Sequence, residues 1–168
     1  MTPDQLPIMN TASHQGFSLV SPESNERFIT RIHALTPRSQ ALWGKMNVTQ
    51  MLMHCNIVLR NGLGDVKLPK VWIGLIIGNS FKKKILTEGF GKNIPTLKGA
   101  KMTDITIVDE HQFEQERTKI IDLLRRFSSG GPRAITHRPH PFFGKMTQAE
   151  WDVFEAKHLD HHLRQFGV

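Results

Sequence analysis

Apolar residues recur at intervals of three and four along several stretches of this chain, the spacing of one buried face of an α-helix. The clearest stretch runs from Asp109 to about Ser128 and ends at "SSGG". Its apolar positions are Phe113, Ile120, Leu124 and Phe127. A chain dominated by this period, with little alternation of the kind that strands show, is restricted to a helical fold.

The starts of the other helices are marked by capping residues. Ser21 followed by proline, and Asn47, are typical residues before a first helical turn. Thr147 and Glu150 form a capping box that begins a helix reaching about Phe166. A further apolar helix is predicted from Pro69 to about Leu86. The pattern predicts an all-α fold, a four-helix bundle with a long mid-chain connection.

The connection and both ends of the chain are less regular. "EGFGKNIPTLKG" is rich in glycine and proline, and residues 104–108, "DITIV", alternate weakly enough to predict a short extended piece. Residues 1–20 have no periodicity and are expected to be a loosely ordered lead-in. We therefore expect one domain, residues 21–168, which is a suitable length for a single hydrophobic core.

Composition narrows the class of protein. The longest apolar run, Val71–Ile77, is far too short to span a bilayer, and the first ten residues lack the features of a secretory signal. A single cysteine, Cys55, allows no internal disulfide, which favours a reducing compartment and predicts a cytoplasmic protein.

The formal net charge of +7 favours anionic partners. A nucleic-acid binder is disfavoured, because the chain has no tyrosine, no zinc-finger spacing and no basic stripe interleaved with aromatic residues. The expected partner is a small molecule, with an anionic group as one option, and a homodimer is the oligomer considered. No G-x-S-x-G motif points to a serine hydrolase.

The stretch "KHLDHHLRQFGV" closes the chain with three histidines. On a helical wheel, His158 and His162 lie about 20° on either side of Trp151, in the centre of the apolar stripe. His161 lies about 80° away, near the margin of that stripe. Lys157, on the same wheel, falls on the opposite face.

An i, i+4 histidine pair can offer two nitrogens to one metal ion. His54, in the middle of "QMLMHCNIV", is the leading candidate for a third ligand from another helix. The alternative reading of each histidine is an ordinary buried imidazole bonded to a carbonyl. The other histidines are expected to have structural roles or none; they are His14, His33, His111, His137 and His140.

Three more residues near this pattern have open roles. Glu155 projects inward one turn before His158, and could be a fourth ligand, an acid/base group or, as first choice, the partner of an inward arginine. Gln165 shares the inward face and could orient a ligand or a bound water. Cys55 is expected in the core. No catalytic residue and no organic cofactor site can be named from the residues.

Three stretches resemble a bacterial family of unknown function in the DinB-like superfamily of proposed metalloenzymes. They are "LTPRSQALWGKMNVTQMLMHC", "HPFFGKMTQAEW" and "KHLDHHLRQFGV". The resemblance implies a four-helix bundle, related to the DinB/YfiT fold, with a divalent metal held by His54, His158 and His162. The superfamily often reads H-x-x-H-H-R-G-Q in the last stretch, whereas this chain has Leu163 and Arg164 in place of the Arg-Gly pair.

Characterised members of that superfamily include thiol-dependent transferases and isomerases. The resemblance therefore implies a metal-dependent transferase or hydrolase that uses Zn²⁺, Ni²⁺ or Fe²⁺, with a low-molecular-weight thiol as a possible co-substrate. The alternative function is a non-catalytic bundle that binds a metal or another ligand.

Overall fold

The fold is known from a computed structural model, which describes residues 16–72, 74–92 and 109–168. The helices in these ranges are α1 (Pro22–Ala34), α2 (Val48–Gly62), α3 (Gly74–Glu88), α4 (Glu110–Gly130) and α5 (Gln148–Gln165), with a short 3-10 helix over Gly131–Ala134. The predicted all-α class is confirmed. The predicted extended piece at residues 104–108 and most of the predicted lead-in lie outside the described residues.

Four of the helices pack around one core. α2 lies against α4 and α5, and α1 lies against the same two helices, while α3 is added on the α5 side. Large apolar side chains from all four fill the space between them, including Ile32, Met51, Phe127 and Trp151, each almost completely buried. No helix of the described ranges has the length and apolar character needed to cross a membrane.

The predicted caps are present. The hydroxyl of Ser21 accepts a hydrogen bond from the first turn of α1. Asn47 and Thr147 each form a full capping box, with Gln50 and Glu150 respectively. These caps satisfy backbone N–H groups that a helix start otherwise leaves without a partner. They fix where α2 and α5 begin, and therefore which of their residues face each other.

α3 begins later than its apolar run predicts, at Gly74 rather than Pro69. The reason lies in the turn that precedes α5, because the backbone N–H of Val71 donates to the carbonyl of Pro141 at 3.0 Å. Val71 therefore attaches the chain to that turn instead of continuing a helical turn.

α5 is buried on more sides than a single apolar stripe implies. Lys157, placed on the outer face by the wheel, is only 9% exposed. Its ammonium donates to the carbonyls of Leu86 (2.7 Å) and Thr87 (3.0 Å), in the last turn of α3. A cation at this position is favoured by the partial negative charge of a helix C-terminus. The expectation for Lys157 was wrong because α3 covers that side of α5.

The segment before α1 is also fastened to α5. The carboxylate of Asp152 accepts hydrogen bonds from the hydroxyl of Ser18 (2.6 Å) and from the backbone N–H of Leu19 (2.7 Å) and Val20 (3.1 Å). Leu19 is fully buried. Helix α5 thus contacts α1, α2, α3 and the residues that lead into α1, and it is the element on which the candidate site is built.

Candidate metal centre

Three histidines meet between α2 and α5. One ring nitrogen from each of His54, His158 and His162 lies within 4.8 Å of the other two, and all three side chains are less than a tenth exposed. The Nε2 atoms of His54 and His158 are 3.0 Å apart. The structure therefore brings together the three residues that the sequence selected.

Helix geometry explains why these three meet. His158 and His162 are one turn apart on α5, so their rings project side by side, 4.7 Å between centroids. His54 lies in the middle of α2, and its ring is 4.9 Å from each of the other two. Because α2 packs directly against α5, the third imidazole reaches the pair without any irregular backbone.

The cluster has dimensions suited to one divalent ion. Two nitrogens bound to a tetrahedral ion at about 2.0–2.1 Å are roughly 3.3 Å apart. The 3.0 Å separation of the His54 and His158 nitrogens is close to that value. A nitrogen at the 4.8 Å limit would have to move by about 1.5 Å to reach that separation, which a rotation of one ring can supply. Three histidines leave further positions on such an ion for other ligands.

Gln165 selects the tautomer of His162. Its amide NH₂ donates to the carbonyl of Trp43 at 2.7 Å, an atom that can only accept. The amide oxygen is therefore turned to Nδ1 of His162, 2.9 Å away, and Nδ1 must carry the proton. The lone pair of His162 is left on Nε2. A second hydrogen bond of this kind is the usual way in which a protein orients a histidine ligand.

Burial keeps the histidines in the form that metals bind. Removal from water lowers the pKa of His158 well below its usual range, and the neighbouring His162 and His54 lower it further. Burial likewise lowers the pKa of His162 to about 3, with His54 as the next cause. Both imidazoles are thus neutral near pH 7, and only a neutral imidazole has a lone pair to donate.

His161 lies outside the cluster, as the wheel predicted, although it is buried. Its ring lies between Trp43 (5.9 Å between centroids) and Phe90 (5.6 Å), and it forms a hydrogen bond with the Phe90 backbone. Phe90 also contacts His158, at 5.4 Å. His161 therefore supports the aromatic wall of the site.

Aromatic residues form the walls of the site. Phe154 stacks on His158 at 5.9 Å, and Phe90 packs against both. The ammonium of Lys92 lies 5.0 Å from the centre of the Trp43 ring, which places a cation beside the same wall. Phe154 could have been found from its position on the wheel, but Phe90 and Trp43 follow breaks in the helical pattern.

Glu155 is fully buried on the same interface, yet neither oxygen has a hydrogen-bond partner among the described residues. The arginine partner expected from the sequence is absent from that part of the chain. Glu155 faces Gly62 of α2 instead, where an added Cβ would be only 2.6 Å from Oε1. Burial raises the pKa of Glu155 well above its usual range, and the nearby Asp152 raises it further.

Cys55 and four other histidines lie away from the cluster or outside the described residues. Cys55 is fully buried beside Met51, and burial raises the pKa of its thiol. His14 lies outside the described residues. Three histidines are exposed: His33, His111 and His137.

His140 is more deeply placed than a loop histidine was expected to be. Its Nδ1 accepts from the backbone N–H of Phe142 and of Phe143, both at 3.1 Å, and its ring stacks on Phe143 at 4.4 Å. The motif "HPFFG" forms this turn, and it is the sequence feature from which the burial of His140 could have been predicted.

Sequence comparison places the chain in a family. The sequence model of a family described as "Protein of unknown function (DUF1569)" matches residues 18–167, almost the whole chain. The chain belongs to this family. No curated protein and no solved structure matches it. The family name assigns no activity, so function has to be argued from the three-histidine cluster.

Proposed function

We propose that this member of the family binds one divalent metal ion through His54, His158 and His162 and uses it in catalysis. The observation that carries the proposal is the convergence of three buried ring nitrogens, from two helices, within 4.8 Å. Buried imidazoles need partners for their nitrogens. One shared cation accepts all three lone pairs at once, whereas a hydrogen bond between two imidazoles, such as His54 and His158, uses the lone pair of only one of them.

The proposal includes membership in the DinB-like superfamily. The support is positional: one ligand from the second helix and an H-x-x-x-H pair on the last helix, with Gln165 at the matching offset. The Arg-Gly pair frequent in that superfamily is replaced by Leu163-Arg164. Arg164 points away from the cluster and pairs with Asp160 at 2.8 Å, so it supplies no cation to the site.

The class of reaction we propose is group transfer or hydrolysis, with a small thiol as one candidate co-substrate. A divalent ion supplies a Lewis acid that lowers the pKa of a water or thiol ligand and favours its nucleophilic form. The chain itself does three things: Gln165 orients His162, Phe90 and Phe154 keep the cluster apolar and dry, and Lys92 provides a cation near the aromatic wall. A cation there suits a substrate with an anionic group.

Elemental analysis of protein purified without an affinity tag tests the metal part of the proposal. We expect close to one equivalent of Zn, Ni or Fe per chain, lost in His54→Ala. A protein that holds less than about a tenth of an equivalent, and takes up none of these ions on titration, would contradict it.

Thiol-transfer and hydrolysis assays on the metal-loaded protein test the catalytic part. Turnover that follows metal content across a titration is the expected result. Full metal occupancy with a large rise in melting temperature, but no turnover with any substrate of either class, would instead indicate a non-catalytic metal-binding bundle.

A further inference from the structure

A second concave site lies outside the histidine cluster. A cavity of about 290 Å³ opens between the residues that lead into α3 and the turn that precedes α5. Lys70, Trp72, Asn79, His140 and Phe142 are among the residues that line it, and none of the three clustered histidines does. Its volume is near the lower end of the range for small-molecule pockets.

The walls of this cavity are held in place by backbone contacts. A Cβ added to Gly74 or Gly78 would lie 2.1 or 2.4 Å from the carbonyl oxygen of Phe142, so α3 and the turn touch without side chains between them. The hydrogen bond from Val71 to Pro141 and the paired bonds between His140 and Gly144 (2.7 and 3.0 Å) close the turn. These contacts hold α3 and the turn against each other on one side of the cavity.

The lining is mostly apolar and carries one cation at its rim. Trp72 is 80% exposed, an unusual position for the largest aromatic side chain. Lys70, two residues earlier, is also exposed. Inside, His140 has its Nδ1 occupied by two backbone N–H groups, so its remaining proton is on Nε2, as a donor. An aromatic surface and a cation at the rim of one small cavity complement a flat molecule with an acidic group.

We propose that this cavity binds a small aromatic carboxylate, with its ring against Trp72 and Phe142 and its carboxylate next to Lys70. The net charge of +7 adds a general attraction for anions. None of the three clustered histidines lines the cavity, so binding there does not require the proposed metal. It gives the protein a second ligand besides the one at the histidine cluster.

Titration with naphthoate, followed by calorimetry and by tryptophan fluorescence, tests the proposal. We expect saturable binding of one naphthoate per chain, unchanged after the metal has been removed with a chelator. Trp72→Ala should weaken binding about tenfold, because an aromatic stacking partner is lost. Lys70→Ala should weaken it about threefold, the effect of one exposed charge. Both side chains are exposed, so neither change threatens the fold.

Lys67→Ala is the matched control, since it removes an equally exposed charge three residues away and should leave the affinity unchanged. Naphthyl methanol, which lacks the charge, should bind more weakly than naphthoate.

Several results would overturn the proposal. They are the absence of saturable binding, equal affinity in all the variants, and a neutral analogue that binds as tightly as the acid. A dimer that dissociates on Trp72→Ala, without naphthoate binding to the parent, would assign the cavity to a second copy of the chain.

Discussion

The α2–α5 interface buries polar side chains at two places, and the two places differ in whether those side chains have polar neighbours. At one, His54, His158 and His162 face one another, and Gln165 fixes the orientation of His162. One turn earlier on α5, Glu155 is buried against Gly62 with neither oxygen paired among the described residues. Both places are buried, but only the histidines share a point at which a ligand could satisfy them.

This difference separates a buried polar group that a ligand can stabilise from one that lowers stability. An unpaired carboxyl in the core avoids the larger penalty of a buried charge by staying protonated. Neutral imidazoles keep a lone pair and can bind a cation. We therefore expect substitutions at the histidines to change metal binding, and substitutions around Glu155 to change stability alone.

The largest expected effect is on metal affinity. His158→Ala removes one of the three proposed ligands, and the affinity for Zn²⁺ should fall by more than about 100-fold, beyond the effect of losing an orienting partner. His161 lies three residues after His158 and is buried to a similar extent. His161→Ala should retain affinity for Zn²⁺ within about threefold. Competition with a chromophoric chelator measures both. Equal losses in the two variants would mean that His161 belongs to the cluster.

A smaller loss of affinity is expected when the orienting partner of His162 is removed. Gln165→Leu leaves Nδ1 of His162 without its acceptor, so the affinity for Zn²⁺ should fall about 10- to 100-fold while the stoichiometry remains one. Gln148→Leu, at the other end of α5, is the control and should have no effect on the metal. A Gln165→Leu protein with parental affinity would show that the tautomer of His162 is set by other contacts.

Glu155→Gln should change the pH dependence of stability and leave metal affinity unaltered. The folded pKa of Glu155 is raised above the unfolded value near 4.5, so its stabilising effect is complete below that value and is lost as the pH rises towards the folded pKa. The variant cannot ionise. Its advantage in the free energy of unfolding should therefore grow with pH, by about 1.4 kcal/mol per pH unit within that window.

Urea unfolding of the metal-free proteins between pH 4 and pH 8 measures this difference. Both proteins carry the same histidines, so the contribution of those residues to the pH dependence cancels in the difference. A difference that stays constant over the whole range would mean that Glu155 is already ionised in the folded state.

The smallest effect concerns the glycine opposite Glu155. Gly62→Ala should lower the free energy of unfolding by about 1 kcal/mol, since the crowding of Glu155 outweighs the gain in helix propensity. Combining it with Glu155→Ala removes the clash, so the double variant should show a marked departure from additivity. Thermal unfolding of the four proteins in this cycle gives the coupling. Additive effects would indicate that the Glu155 side chain moves aside freely.

The features that sequence predicted well are those fixed along a single helix. Helical period and capping residues located α2 and α5, and the same period placed His158 and His162 inward and His161 at the margin. These depend on local geometry that 3.6 residues per turn determines.

The features that sequence missed depend on which element packs against which. Lys157 was placed outward because a wheel has no information about a second helix on the far side of α5. The prediction that Glu155 pairs with an arginine was wrong for the same reason. Glu155 lies against Gly62, and no pattern in either helix predicts that contact. The burial of His140 follows from the closed turn at residues 140–144, and it could not be read from spacing.

Gly44 affects the histidine cluster without contacting it, through Gln165. It has φ +82°, and a Cβ there would be 2.5 Å from the amide nitrogen of Gln165. Any side chain at this position is strained by the backbone conformation and displaces the amide from Trp43, which frees Gln165 to turn over and present NH₂ to His162. An exposed glycine outside the histidine cluster thus controls which nitrogen of His162 faces the other two histidines.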